Sequence, residues 1–211
     1  AREGGGDPGG NPALASAIDK ARSASVPNDN IDRAIKRGTG EVEGAHYEEM
    51  YYEGYGPGGV ALLVHVLTDN RNRASAEVRS TFNRNGGNLG EPGSVSYLFE
   101  QKGYLLVEGA EDDVILAALD AGAEDVRTSG DLFEVITAPS DLRAVRRAVE
   151  DVELRVESGD VTQLPKTTVP VDASVAPRLL RLIDALEDLE DVQEVHSNFD
   201  IPEEEMEKLS A

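Results

Sequence analysis

The sequence predicts an α+β protein in which a helical N-terminal domain precedes two ferredoxin-like β-α-β-β-α-β domains, one inserted into the other. Three observations carry this. Apolar residues recur at helical spacing up to about residue 40, and strand and helix periods alternate thereafter. Residues 103–166 read as strand, helix, strand, strand, helix, strand, which is one complete unit. Removing that unit leaves the same order in the flanking residues, 59–99 and 167–199. The expected domains are therefore 1–45, 46–102 joined to 167–211, and 103–166.

Each element has its own signal. Ala1 to Gly6 reads as a frayed helix end with a glycine stop, and no Met opens the chain, so a native segment is expected to precede it. Pro12 suits the first turn of a helix over 12–24, with Leu14, Ile18 and Ala21 on one stripe. A second helix, 28–37, carries Ile31, Ala34 and Ile35 and stops at Gly38. The acidic stretch from Thr39 to Ala45 reads as a linker. Strands are expected over 47–53 and 59–67, around the turn from Gly54 to Gly59. The run Val60 to Leu67 is nearly all apolar, as in a strand covered on both faces. A helix over 73–85 follows, with Asn72 as expected N-cap, Val78 and Phe82 inside, and Asn85-Gly86-Gly87 as the stop. Residues 94–99 read as a strand. Inside the insert, strands are expected at 104–108, 124–128, 131–137 and 152–157, and helices at 111–121 and 140–150. A strand over 167–171, a helix over 174–189 with Leu179, Leu182, Ile183 and Leu186 on one stripe, and a strand over 192–199 close the chain.

Composition narrows the function classes. The 211 residues contain no Cys or Trp, which excludes disulfides and thiolate metal sites and suits a reducing compartment. No apolar run reaches the roughly 18 residues of a membrane span, and no signal-peptide pattern opens the chain, so the cytoplasm is expected. The net charge is −21, distributed unevenly. Residues 1–90 hold 12 acidic and 10 basic side chains, whereas 91–211 hold 29 and 10. Phosphate backbones are repelled by such a chain unless a local basic surface dominates, so a nucleic-acid site belongs in the first half.

No catalytic signature is found. His46, His65 and His196 stand alone, without a second ligand at metal spacing, so neither metal nor cofactor is expected. Gly56-Pro57-Gly58-Gly59 leads into a strand rather than a helix, which fits a turn better than a phosphate loop. The two N-terminal helices do not read as a groove-reading pair, because the second opens on Asp29 and Asp32. Lys36 and Arg37 lie in its last turn, where they complement the helix dipole and remain placed for backbone contact. The stronger constellation is Asp69-Asn70-Arg71-Asn72-Arg73 with Arg79 and Arg84. On a helix, Arg73 and Arg84 fall within about 20° of each other, while Arg79 lies on the other flank. Arg71, Arg73, Arg79 and Arg84 form a surface suited to phosphates. In the structural alternative, Arg73 pairs with Glu77 and the others are merely solvated.

Gly4-Gly5-Gly6-Asp7-Pro8, Pro27 to Ile35, Tyr52 to Gly59, Asp69 to Arg73, Asn85 to Gly90 and Gly93-Ser94-Val95 together resemble the YebC/PmpR family, which includes the mitochondrial translational activator of cytochrome c oxidase. The resemblance spans essentially the whole chain. It implies a helical N-terminal domain with two α/β domains, and a basic leading helical segment that this sequence lacks. It also implies a DNA-binding transcriptional regulator or, alternatively, a ribosome-associated translation factor that relieves stalling at stretches such as proline runs. The expected partners are accordingly nucleic acid (DNA, ribosomal or transfer RNA) or the ribosome. A protein-interaction scaffold is the third class, and it fits the acidic second half.

Overall fold

The computed structural model describes residues 1–2, 4–40 and 47–202; His46 lies outside them. In chain order the first elements are α1 (Pro12–Ser23), α2 (Asn28–Gly38), β1 (Glu48–Tyr55), β2 (Ala61–Thr68), α3 (Arg71–Arg84) and β3 (Asn88–Leu89). Next come β4 (Phe99–Glu108), α4 (Glu111–Asp120), β5 (Asp125–Ser129), β6 (Leu132–Thr137), α5 (Leu142–Asp151) and β7 (Arg155–Pro165). The last are β8 (Val169–Pro170), α6 (Ala176–Glu187), β9 (Val192–Ser197) and β10 (Phe199–Asp200). The described residues fall into two compact units, 1–40 with 101–162 and 47–100 with 163–202.

In the first unit, Asn11 caps α1: its Oδ1 accepts from the Leu14 amide at 3.1 Å, and its Nδ2 donates to the Gly5 carbonyl. Leu14 and Ile18 of α1 pack with Ile31 of α2. The insert forms a sheet of order β5-β6-β4-β7, with β6 antiparallel to both β4 and β5. That is the order a split β-α-β pair produces, and α4 and α5 cover it. Leu105, Val107 and Val135 meet Val114, Ala118, Val145 and Val149 in its core. The bounding strands are longer than the expected 104–108 and 152–157, because β4 begins at Phe99 and β7 runs to Pro165. Ser16 donates to Asp160 of β7 at 2.9 Å, and Lys20 pairs with the same carboxylate.

The second unit is built on a sheet of order β3-β1-β2-β9, antiparallel throughout. β2 and β9 are neighbours, as the nesting of the chain requires. Val60, Leu62, Val64 and Val66 are buried against Ala74, Val78 and Phe82 of α3 and Leu179, Leu182 and Leu186 of α6. The strands are not those of a second β-α-β-β-α-β copy, however. β1 takes an inner place, and residues 94–99 do not join this sheet. Glu53 of β1 explains why: its carboxylate accepts from the amides of Gly93 (2.7 Å), Val95 (2.7 Å) and Ser96 (2.8 Å). Amides so engaged cannot feed a ladder, and residues 96–98 wind into a 3-10 turn. The expected strand 167–171 shrinks to β8, which pairs in parallel with β10 as a separate ribbon. Pro170 has no amide to donate, and Val169 and Val171 donate theirs to the carbonyls of Asn198 and Asp200. The expected strand 192–199 divides at Asn198, whose buried side chain accepts from the Ala61 amide at 2.7 Å.

Candidate nucleic-acid interface

The Asp69–Arg73 motif turns the chain from β2 into α3. Thr68 accepts the Asn70 amide on its hydroxyl, and Asn70, not Asn72, is the N-cap, accepting from the Arg73 amide at 3.1 Å. The helix therefore opens two residues earlier than expected, at Arg71. Its first turn contains no acidic residue, although Asp69, just before the cap, pairs with Arg73 there. Tyr52 of β1 donates to the Arg71 carbonyl and leaves that side chain exposed.

Arg73 is tied into the fold. Its Nη2 donates to both carboxylate oxygens of Asp191 at 2.9 Å and to Asp69 at 2.9 Å, while Nε reaches Asp191 at 3.3 Å. Asp191 is only 6% exposed, also accepts from the Thr68 hydroxyl at 2.9 Å, and receives the Leu67 amide on its carbonyl. Local spacing suggests Glu77 as the partner of Arg73, whereas the fold supplies an acid 118 residues away. Asp191 and Thr68 are thus the residues that sequence reasoning missed, and no local pattern marks them. A buried carboxylate left without a cation and donors is strongly destabilising, so Arg73 is committed to Asp191.

The other predicted arginines stand differently. Arg71, Arg79 and Arg84 are exposed and make no ion pair among the described residues; Arg84 donates only to the Ser80 carbonyl, at 3.4 Å. α3 brings the three onto one helix, with Arg79 and Arg84 on opposite flanks of its buried Val78–Phe82 face. Lys36 and Arg37 occupy the last turn of α2, in the other compact unit, and are exposed.

His65 contacts Glu49 and stacks on Tyr51, with ring centroids 4.8 Å apart. Burial lowers the pKa of His196, Glu194 opposing and His65 adding to the fall. Among the described residues no group of three His, Asp or Glu side chains could hold a metal ion, and no helix is long and apolar enough to cross a membrane.

The described residues make a two-unit α+β protein with exposed cations on α2, α3 and α6. Residues 1–41 match the family described as the TACO1/YebC protein N-terminal domain, and residues 47–199 match the TACO1/YebC second and third domain. The chain belongs to the TACO1/YebC family. A "probable transcriptional regulatory protein" of Mycobacterium sp. (strain KMS) is 55% identical over 99% of this chain and 85% of its own length. One of the same description from Mycolicibacterium smegmatis is 57% identical over 97% and 83%. The crystal structure of a conserved hypothetical protein from Aquifex aeolicus superimposes with a TM-score of 0.84 at 46% identity, covering 96% of this chain and 85% of that one.

Proposed function

We propose that this chain is a non-catalytic, cytoplasmic regulator of gene expression that binds DNA through the phosphate backbone, with α3 as its principal contact. One observation carries the reading. Acidic residues outnumber basic ones 41 to 20, yet three arginines of α3 remain exposed without an acidic partner among the described residues. In so acidic a chain, cations left unpaired on one helix fit a polyanion that arrives from outside. The relatives described as transcriptional regulators support the same reading. Lys36 and Arg37, exposed in the other unit, are suited to a phosphate contact of their own. Nothing in this arrangement reads base edges, so affinity is expected to exceed sequence discrimination.

A salt titration of duplex DNA binding tests this. Each of Arg71→Ala, Arg79→Ala and Arg84→Ala should lower the slope of log Kobs against log salt by about one. A triple variant that binds DNA with the wild-type slope removes α3 from the interface. If the wild type ignores duplex DNA yet co-sediments with ribosomes, the protein acts in translation instead.

A further inference from the structure

With Arg73 committed to Asp191, the C-terminal end of α3 keeps Arg84 as its own exposed cation. A second one comes from elsewhere in the fold. α3 ends in a left-handed turn: Gly86 has a φ of +78°, and the Gly87 amide donates to the Phe82 carbonyl at 2.9 Å. A Cβ placed on Gly86 would lie 2.9 Å from Nη2 of Arg178 and 4.0 Å from Pro57. The guanidinium of Arg178 therefore rests over the Gly86 backbone. Arg178 belongs to the first turn of α6, which packs beside α3 on the same face of the sheet. It is exposed and, like Arg84, makes no ion pair among the described residues.

We propose that Arg178 and Arg84 together form a phosphate seat over the Gly86 turn, which receives a phosphodiester of the nucleic acid bound along α3. This rests on the nucleic-acid reading above and extends the interface from one helix to two. Electrostatics decides between this role and simple capping of α3. The carbonyl end of a helix amounts to about half a negative charge, and Arg84 alone outweighs it. Adding Arg178 leaves the end of α3 clearly positive, and Arg181, also exposed, lies one turn further along α6.

The surroundings keep that charge available. Residues 83–90 and 175–183 contain no Asp or Glu, although the chain has 41 of them. The nearest acid in sequence before α6, Asp172, accepts from the Ser174 and Val175 amides and is turned to that helix start. Shape points the same way. The turn beside Gly86 is open at Gly59, where nothing lies within 4 Å of the place of a Cβ, so a polymer backbone can approach closely there. The planar fork of an arginine then offers paired N–H donors to phosphate oxygens.

The test uses the whole chain, a fluorescein-labelled DNA duplex and the same strand as RNA, each titrated with salt. Arg178→Ala should lower the slope by about one, as Arg84→Ala does, and the double variant by about two. Gly86→Asn keeps a left-handed turn that Asn tolerates, but its side chain fills the place of the guanidinium. It should lower the slope as Arg178→Ala does, with only a small fall in the thermal transition, since the left-handed φ of Gly86 costs Asn little. Arg178→Lys should keep the wild-type slope. If Arg84→Ala lowers the slope while Arg178→Ala and Gly86→Asn leave it unchanged, the seat does not exist and Arg178 only complements α3. If the wild-type chain binds neither probe at low salt, the seat and the nucleic-acid reading fall together.

Discussion

Replacing Glu53 by Ala should destabilise the second unit without touching any exposed cation. The carboxylate is 8% exposed and accepts three backbone amides, those of Gly93, Val95 and Ser96. Val95 is fully buried, so its amide would lose its acceptor, at a cost of about 1–3 kcal/mol. Gly93 and Ser96 are exposed and can turn to water, which limits their share to about 0.5 kcal/mol each. The expected total of about 2–4 kcal/mol corresponds to a fall of roughly 5–12 °C in melting temperature for a chain of this size. Burial by itself would raise the pKa of Glu53, but the three amides more than offset it and hold the group below its ordinary value of 4.5. A depressed carboxylate stabilises above its unfolded pKa and loses that contribution as pH falls through the folded value. Glu53→Gln should therefore differ from wild type at pH 7 and converge on it in strong acid. Scanning calorimetry at both pH values checks this. A Glu53→Ala protein melting within about 1 °C of wild type at pH 7 would refute the reasoning.

Other perturbations have equally definite outcomes. Arg73→Ala should lower the melting temperature by stripping Asp191 of its cation, yet leave the salt slope of DNA binding intact, which thermal scans and the same titration measure together. Because burial lowers the pKa of His196 in the fold, the unfolded chain takes up a proton first. Stability should thus be complete above about pH 6.5 and decline as pH falls from there through the folded value; a denaturant midpoint that is flat across this window would contradict the burial of the ring. Gly87→Ala would put a Cβ 2.8 Å from Leu182, 2.9 Å from Phe82 and 2.9 Å from the Tyr55 carbonyl. That overpacking should cost about 1–3 kcal/mol, read from urea unfolding.

What could be read from residues alone follows the range of the interactions involved. The strand and helix order of the insert is legible because each element carries its own period and its own stop, as in Val114–Ala118 and Gly122. The strand expected at 94–99 fails because Glu53, some 40 residues earlier, takes the amides that a ladder would use. Asn72 and Asn70 are chemically equal candidates for the cap, and only the course of the chain out of β2 selects Asn70. The same distinction divides the arginines. Arg79 and Arg84 show their exposure through helical spacing, whereas the attachment of Arg73 depends on Asp191, which follows the insert in sequence. Lys36 and Arg37 keep the positions that the α2 pattern assigns them.

The chain leaves the second unit after Glu100 and comes back at Gln163, and next to these crossings the Lys166 amide donates to the Leu98 carbonyl at 2.8 Å. Within the insert, β4 and β7 are neighbouring strands. This has a kinetic meaning. The pairing of Leu62 with Ser197 joins positions far apart in sequence, and closing so long a span in an otherwise unfolded chain is entropically slow. Once β4 and β7 have paired, the intervening residues no longer count as slack, and the two halves of the outer sheet are separated only by their own residues. Folding of the insert should then precede and accelerate closure of β2 on β9, so that a lesion in the Leu105–Val145 core slows assembly of a sheet to which it contributes no strand.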